Sequence, residues 1–154
     1  MTGRYFAYGS NMDPRHMLDH CPEARPVGPG RLEGFRLEFS VYSDRWGGGA
    51  ANLEPDQGAH VWGVVWEVSR EDLAALDTYV GHPTYYRREQ VAVRVGNEVH
   101  ECLTYRVAHQ HGFVRPTDEY LNRLRAGMRQ QGLPPEALDI MESAARPPRP
   151  QIST

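Results

Sequence analysis

The sequence contains little cysteine and no long apolar run. Its two cysteines, Cys21 and Cys102, lie far apart in a chain of 154 residues, which excludes a disulfide-rich secreted scaffold. We expect both to be buried as small apolar side chains and not joined in a disulfide. No apolar stretch approaches the ~20 residues that a membrane-spanning helix needs. These absences favour an ordinary globular protein.

The chain also has no strong excess of either charge. Its 17 lysine and arginine residues and 20 aspartate and glutamate residues give a formal net charge of -3. Such a balance favours neither a nucleic-acid backbone nor an anionic membrane surface as a partner, and we expect neither. The first residues, MTGRYFAYGSNM, contain no separate apolar segment followed by a cleavage site. We therefore expect a cytoplasmic protein, and no pattern in the sequence indicates an oligomeric state.

The pattern of apolar residues predicts several short strands and short helices. Strands are indicated at residues 4–8, 32–40, 50–53, 60–68, 86–95 and 98–107. Capping residues and apolar faces indicate helices that begin near Asp13, Ser69, Thr117 and Glu136. The proline-rich residues 22–30 are predicted to be a connection with room for a short strand near Val27, and the glycine-rich residues 44–49 are predicted to be a turn. This order predicts an α+β fold with a mixed, mostly antiparallel sheet that closes toward a small barrel, flanked by short helices.

The length favours one domain, which we place at residues 1–145. The remaining residues, 146–154, are proline-rich and are predicted to form a mobile tail. Within the most hydrophobic predicted strand, Gly63 indicates that another backbone or side chain approaches closely. The chain therefore predicts one core with a single C-terminal extension.

The most informative stretch is YFAYGSNM at residues 5–12. An aromatic, buried strand ends here in Gly9, Ser10 and Asn11. Glycine permits a positive φ, and the two polar residues add short hydrogen-bonding groups. With a helix following directly, such a loop suits a small anionic group such as a carboxylate. Taken alone, the same residues are more typical of an ordinary strand-to-helix connection than of a binding site.

The string at residues 5–12 resembles the signature of the γ-glutamylcyclotransferase family, and further blocks resemble that family in the same order along the chain. These blocks are LEGFRLEF at 32–39, WGG at 46–48, VWGVVW at 61–66, Leu76-Asp77 with Gly81, YRR at 86–88, Tyr105 and GLP at 132–134. The resemblance covers nearly the whole chain. It implies the γ-glutamylcyclotransferase-like fold for this sequence.

The resemblance implies a reaction on γ-glutamyl amines or dipeptides that needs no cofactor. In that family the substrate's α-amino group attacks its own γ-carbonyl carbon, which releases 5-oxoproline and an amine or amino acid. The implied substrate-binding residues are Tyr8, Gly9, Ser10, Asn11, Tyr86 and Tyr105. The expected partner is therefore a small molecule with a γ-glutamyl or carboxylate group.

The segment that should carry the proton-transferring residue departs from the family pattern. The resemblance places a glutamate directly before Gly81, but the residue there is Val80. A valine side chain can neither transfer a proton nor accept a hydrogen bond. Loss of a general acid–base group costs ~10²–10⁴-fold in rate. Ring closure within one bound molecule can still proceed slowly when its orientation is right.

Three interpretations of Val80 are open on sequence alone. In the first, the protein is a weak enzyme, or a non-catalytic binder of a γ-glutamyl or other small acidic metabolite. In the second, His82 replaces the glutamate, since imidazole has a suitable intrinsic pKa; Asp77 and Glu89 flank the same segment. In the third, the substrate brings its own base or needs none. A catalytic residue is thus not assigned, and we favour an enzyme-derived site.

A metal site is not expected. His16 and His20 are four residues apart on the first predicted helix, a spacing that zinc sites use. No third ligand with a recognisable spacing follows them, so a solvated helix face is the better interpretation.

Ser10 lacks the G-x-S-x-G context of a hydrolase nucleophile. A third class of function, that of an interaction protein, is supported by nothing except the proline-rich tail.

Overall fold

Five strands form a closed barrel in the computed structural model, which describes residues 3–107 and 112–148. In chain order the elements are β1 (Gly3–Ala7), a short 3-10 helix (Ser10–Met12), α1 (Pro14–His20), β2 (Arg25–Ser43), β3 (Gly48–Val68), α2 (Arg70–Val80), β4 (Arg87–Val95), β5 (Glu98–Arg106), α3 (Asp118–Gln130) and α4 (Pro135–Ala144). Around the barrel the strands follow the order β1, β3, β2, β4, β5.

The sheet is mixed and mostly antiparallel. β1 with β3, β3 with β2, β2 with β4 and β4 with β5 are all antiparallel. The closing pair, β1 with β5, is parallel and meets at Tyr5 and Leu103. The predicted α+β fold, with a mostly antiparallel sheet that closes into a small barrel beside short helices, is confirmed.

β2 and β3 are longer than the sequence predicts. The connection predicted at residues 22–30 is wrong over most of its length, because β2 already covers it. The strands predicted at 50–53 and 60–68 are two parts of β3. A register shift at Pro26–Gly28 leaves β2 paired with β3 on both sides of residues that usually break a strand. Proline and glycine here mark a bulge and not the end of the strand.

Three helices begin at the capping residues that the sequence predicts, Asp13, Ser69 and Thr117. The Asp13 side chain accepts a hydrogen bond from a backbone N–H in the first turn of α1. Ser69 and Asp72 form a capping box at α2, in which the Ser69 hydroxyl accepts from the Asp72 N–H at 3.0 Å. Thr117 caps α3 in the same manner. Gly81 ends α2 in the left-handed conformation, with φ 77°, which places Val80 on the last turn of the helix.

Gly63 allows β1 and β3 to approach closely where β1 ends. A Cβ at Gly63 would lie 2.4 Å from the carbonyl oxygen of Ala7 and 2.7 Å from the Phe6 ring. The predicted close approach is confirmed. Trp66, also on β3, is fully buried, and its indole N–H donates to the Asn11 carbonyl at 3.0 Å. The core of the barrel thus fixes the residues that follow β1.

Cys21 and Cys102 are buried free thiols, as predicted. No helix in the described part of the chain is long and apolar enough to cross a membrane. The domain boundary expected at residue 145 stays a prediction. Of the predicted tail, residues 149–154 lie outside the described residues.

Candidate active site

A cavity of about 320 Å³ lies where the segment after β1, the β2–β3 turn, the end of α2 and the segment before β4 meet. All eight tyrosines of the chain line it: Tyr5, Tyr8, Tyr42, Tyr79, Tyr85, Tyr86, Tyr105 and Tyr120. The volume lies near the lower end of the ~300–1,000 Å³ range of small-molecule sites. A wall of phenol rings combines apolar surface with hydroxyl donors and acceptors.

Every residue that the sequence predicts for substrate binding lines this cavity, namely Tyr8, Gly9, Ser10, Asn11, Tyr86 and Tyr105. Val80 lines it as well. His82 is not among the described lining residues, and its Nδ1 faces the backbone N–H of Arg88 at 3.4 Å. The structure thus brings the predicted binding residues together and leaves the candidate substitute base outside. Their roles in binding and catalysis stay predictions.

The loop from Tyr8 to Asn11 is held by buried hydrogen bonds. The Asn11 side-chain N–H donates to the Tyr5 hydroxyl at 3.1 Å, and the Tyr8 hydroxyl donates to the Tyr105 carbonyl at 2.5 Å. With the bond from Trp66 to the Asn11 backbone, three separate contacts fix the loop. Asn11 Oδ1 is buried, and no described residue donates to it. The loop is therefore a rigid platform with one acceptor left to satisfy.

Gly9 is explained by a close contact and not by its backbone conformation. Its φ is −121°, so it does not use the positive φ that glycine permits. A Cβ at Gly9 would lie 3.2 Å from the Tyr120 hydroxyl, whose oxygen accepts the Ala51 N–H at 2.9 Å. Glycine at this position lets the Tyr120 hydroxyl reach the edge of the loop.

Asp77 is engaged in an ion pair and is a poor candidate for the missing base. Arg88 donates from Nε to the Asp77 carboxylate at 2.9 Å, and the Tyr105 hydroxyl donates to the same oxygen at 2.5 Å. Burial alone would raise the pKa of Asp77, but the hydrogen bonds from Arg88 and Tyr105 lower it below its ordinary value. Burial and the contact with Asp77 raise the pKa of Tyr105, so its hydroxyl stays protonated at neutral pH.

The cavity holds few charges. Among the described residues that line it, Asp44 and Arg45 are the only charged ones, and both are exposed. Val80 thus leaves the inner wall without a carboxylate at the place where the family resemblance expects one. The buried tyrosines do not supply an anion, since burial raises the pKa of Tyr86 to about 12. Burial also raises the pKa values of Tyr5, Tyr8 and Tyr120 above their ordinary range.

A cluster that sequence reasoning missed lies behind the wall of the cavity. The Tyr79 hydroxyl lies 2.5 Å from Nε2 of His16, and the ring of His20 stacks on the Tyr79 ring with centroids 4.4 Å apart. The guanidinium carbon of Arg45 lies 3.8 Å from the same ring centroid. The spacing of His16 and His20 is a signal for a shared helix face, but Tyr79, which both rings contact, lies 63 positions from His16. No group of three metal-ligating side chains occurs in the described residues.

The buried state of His16 predicts a pH-dependent stability. Burial lowers the pKa of His16 from 6.5 to about 4, helped by His20, Arg123 and Arg45 and opposed by Asp13. Between these pH values the unfolded chain binds a proton at His16 that the folded chain does not, so stability falls as pH drops from 6.5 to about 4. Replacing His16 with glutamine removes this contribution.

Urea unfolding of the wild type and of His16→Gln across this pH range measures the effect. The free energy of unfolding of the wild type is expected to fall more steeply, by up to ~1.4 kcal/mol per pH unit, which corresponds to one proton. His20, whose pKa burial also lowers, is present in both proteins, so the difference between them reports the titration of His16 together with its coupling to His20. If the free energies of unfolding of the two proteins changed in parallel with pH, His16 would have the same pKa in the folded and unfolded states.

The barrel carries a tyrosine-lined cavity whose volume lies in the range of small-molecule sites. Comparison with known proteins identifies its relatives. The family model described as gamma-glutamyl cyclotransferase, AIG2-like, matches residues 5–124. The chain therefore belongs to the γ-glutamyl cyclotransferase, AIG2-like family.

Individual relatives agree with this assignment. The chain is 32% identical to the mouse protein named gamma-glutamylcyclotransferase over 142 residues, which cover 88% of this chain and 74% of that protein. It is 32% identical to the human protein of the same name over 139 residues, or 86% of this chain and 73% of that protein. A solved structure named gamma-glutamyl cyclotransferase superposes with a TM-score of 0.88 at 28% identity, covering 99% of this chain and 93% of the other.

Proposed function

We propose that the protein cleaves γ-glutamyl amines or γ-glutamyl dipeptides by attack of the substrate's α-amino nitrogen on its own γ-carbonyl carbon. The bond from that carbon to the leaving nitrogen then breaks. The products are 5-oxoproline and a free amine or amino acid. The proposed reaction uses no cofactor, and we place it in the cytoplasm.

The convergence of the Tyr8–Asn11 loop, Val80, Tyr86 and Tyr105 on one cavity carries this proposal. These residues come from four separate segments, and all of them except Val80 belong to blocks that resemble the family. The names of the mouse and human relatives support the same activity. The cavity is large enough for a small ligand.

The chemistry of the wall suits a γ-glutamyl group. Asn11 Oδ1, which receives no hydrogen bond from the described residues, supplies an acceptor for the substrate's α-amino group. The neutral hydroxyls of Tyr5 and Tyr120, whose oxygens accept hydrogen bonds from Asn11 and Ala51, supply donors for the α-carboxylate and for the negative charge that develops on the γ-carbonyl oxygen. Held in this orientation, the amine attacks within one molecule, which lowers the barrier through its effective concentration. Slow turnover therefore survives the loss of the glutamate at Val80.

Incubation with a panel of γ-glutamyl dipeptides and γ-glutamyl alkylamines tests the proposal. The measurement is 5-oxoproline release, quantified by mass spectrometry. The matched controls are the corresponding α-glutamyl dipeptides, in which the amide is on the other carboxyl group. We expect release from at least one γ-glutamyl compound and from none of the α-glutamyl controls. Absence of release from the entire γ-glutamyl panel would contradict catalysis.

Val80 favours a second candidate function. In this function the protein binds a γ-glutamyl compound or another small acidic metabolite but does not convert it. A hydrophobic residue replaces the expected carboxylate at the wall, while the rest of the cavity remains. Thermal unfolding separates the two functions, because a ligand that binds only the folded state raises the Tm. The enzyme shows both a Tm increase with 5-oxoproline and product release. The binder shows the Tm increase alone, and a protein with neither response has neither function.

A further inference from the structure

The tyrosine-lined cavity runs from a buried inner end to an exposed mouth. Its inner end holds the buried Ser10 and Asn11 together with four buried tyrosines whose hydroxyls are hydrogen-bonded, Tyr5, Tyr8, Tyr105 and Tyr120. Tyr42 and Tyr85 line the same cavity but are 57% and 63% exposed. These two residues therefore mark the mouth of the cavity.

The rings of Tyr42 and Tyr85 are available to a ligand. No described residue is hydrogen-bonded to either hydroxyl, and no described ring or guanidinium stacks on either ring. The other large apolar side chains that are exposed in the described part of the chain do not line this cavity; they are Leu18, Val27 and Val99. Two open aromatic rings beside one cavity are typical of a binding surface for an apolar or aromatic group.

Tyr85 is held next to position 80. Its backbone N–H donates to the Gly81 carbonyl at 2.7 Å. A Cβ added at Gly81 would lie 3.3 Å from the Tyr85 Cβ and 3.5 Å from a carbon of its ring. Gly81 directly follows Val80, where the family resemblance expects the proton-transferring group and therefore the bond that breaks. The part of a substrate beyond that bond thus lies near the Tyr85 ring.

Tyr42 stands at the end of the β2–β3 hairpin. It pairs with Gly49 on β3, whose N–H donates to the Arg115 carbonyl at 2.9 Å. Trp46, in the turn of the same hairpin, also lines the cavity and packs against the buried Tyr120, with ring centroids 5.2 Å apart. The backbone that carries Tyr42 is therefore positioned before a ligand binds, which lowers the cost of ordering the mouth.

The mouth has no excess of either charge. Asp44 and Arg45 are neighbours in the turn between β2 and β3, and they carry opposite charges. The guanidinium carbon of Arg45 lies 3.8 Å from the centroid of the Tyr79 ring, so its charge is already directed at an aromatic face. A neutral planar group therefore matches the mouth better than a strongly charged one.

We propose that the mouth selects substrates whose leaving nitrogen carries an aromatic ring, and that this ring packs against Tyr42 and Tyr85. The inference rests on the proposed cleavage of γ-glutamyl amides and names the class of amide. Because the Tyr8–Asn11 loop lies at the inner end, where the γ-glutamyl group binds in that proposal, the leaving group extends toward the mouth. The preferred substrates are γ-glutamyl amides of arylalkylamines or of aromatic amino acids. Tyr42 and Tyr85 determine specificity and take no part in making or breaking bonds.

Two pairs of substrates test this preference. γ-Glutamylphenethylamine is compared with γ-glutamylethylamine, and γ-glutamylphenylalanine with γ-glutamylalanine, so each pair differs by one phenyl ring. In at least one pair we expect kcat/KM for 5-oxoproline release to be about tenfold higher for the aromatic compound, since a half-exposed ring gains less than a fully buried one. A preference in one pair alone supports the proposal and identifies the amine or the amino acid as the source of the ring. A ratio near one in both pairs would overturn it.

The cyclohexyl analogue of the preferred aromatic compound separates ring stacking from size. It has a ring of similar volume but no π face, so we expect its kcat/KM to be about threefold lower than that of the aromatic compound. A cyclohexyl analogue that reacts as fast as the aromatic compound would contradict a preference for aromatic rings.

Alanine at either tyrosine tests the residues. Tyr42→Ala and Tyr85→Ala should each lower the aromatic-to-alkyl ratio of kcat/KM by at least about threefold, mainly through a higher KM for the aromatic compound. Tyr42→Phe and Tyr85→Phe keep the ring and should keep the ratio. Val99→Ala is the matched control, because Val99 is exposed on β5 and is not among the described lining residues. A wild-type ratio in either alanine variant would contradict the proposal.

The dissociation constants of the same compounds, measured by isothermal titration calorimetry, separate this inference from the proposed turnover. A wild type that releases no 5-oxoproline contradicts turnover, and a Kd about tenfold lower for the aromatic compound then still supports the selective mouth. No release together with equal Kd values would overturn both proposals. An active wild type with equal kcat/KM values in both substrate pairs would overturn the aromatic preference alone.

Discussion

Val80→Glu is expected to raise the rate of 5-oxoproline release about 10²-fold, or about 3 kcal/mol in activation free energy. Val80 lines the cavity at the end of α2, and the left-handed Gly81 fixes its place. A carboxylate there can take the proton of the attacking amine and return it to the leaving nitrogen. The gain lies at the lower end of the ~10²–10⁴-fold range for general acid–base groups, because ring closure within one bound molecule already proceeds slowly without the carboxylate.

Val80→Gln is the matched control for this gain, since glutamine has the size of glutamate without a titratable carboxyl group. Initial rates at saturating substrate are expected to rise for Val80→Glu and to stay at or below the wild-type rate for Val80→Gln. Equal rates for both variants would show that side-chain size, and not proton transfer, limits the reaction. No gain in either variant, with both folded, would show that the cavity has diverged beyond position 80.

Gly63→Ala is expected to destabilise the protein by about 3 kcal/mol, the upper end of the cost of overpacking a core. The added methyl would lie 2.4 Å from the Ala7 carbonyl oxygen and 2.7 Å from the Phe6 ring. Backbone on one side and a fully buried ring on the other leave little room for adjustment. Because Phe6 and Ala7 lead into the Tyr8–Asn11 loop, the Tm increase given by 5-oxoproline should also shrink.

Gly3→Ala is the matched control, because Gly3 lies on β1 with no atom within 4 Å of a Cβ added there. Its free energy of unfolding should stay within ~0.5 kcal/mol of the wild type, as is usual for surface changes. Urea unfolding of both variants measures the difference. Similar stability for Gly63→Ala and Gly3→Ala would contradict the close packing of β1 against β3.

The features that the sequence predicts well are local in origin. Asp13, Ser69 and Thr117 cap helices because a short polar side chain can reach the free N–H groups of its own first turn. Gly81 ends α2 because the left-handed conformation is nearly free of strain only for glycine. The binding residues were predicted from a resemblance, and they do line one cavity, but what they bind stays a proposal.

The features that the sequence does not predict depend on distant partners. β2 runs through Pro26, Gly28 and Pro29 because β3 stays paired with it past a register shift. The role of Gly9 depends on the Tyr120 hydroxyl, which comes from the other end of the chain. Tyr79 has no local signal at all, since its partner His16 is 63 positions away. Such contacts are set by the closure of the barrel and not by neighbouring residues.

A crystal structure of the protein with 5-oxoproline tests the central claim most directly, because it shows where the γ-glutamyl end lies relative to Val80 and Tyr79. We predict that 5-oxoproline occupies the tyrosine-lined cavity, in hydrogen-bond contact with the Tyr8–Asn11 loop. Its ring nitrogen should face the wall formed by Tyr79 and Val80. A 5-oxoproline molecule bound elsewhere on the protein, with this cavity free of it at saturating concentration, would contradict the account.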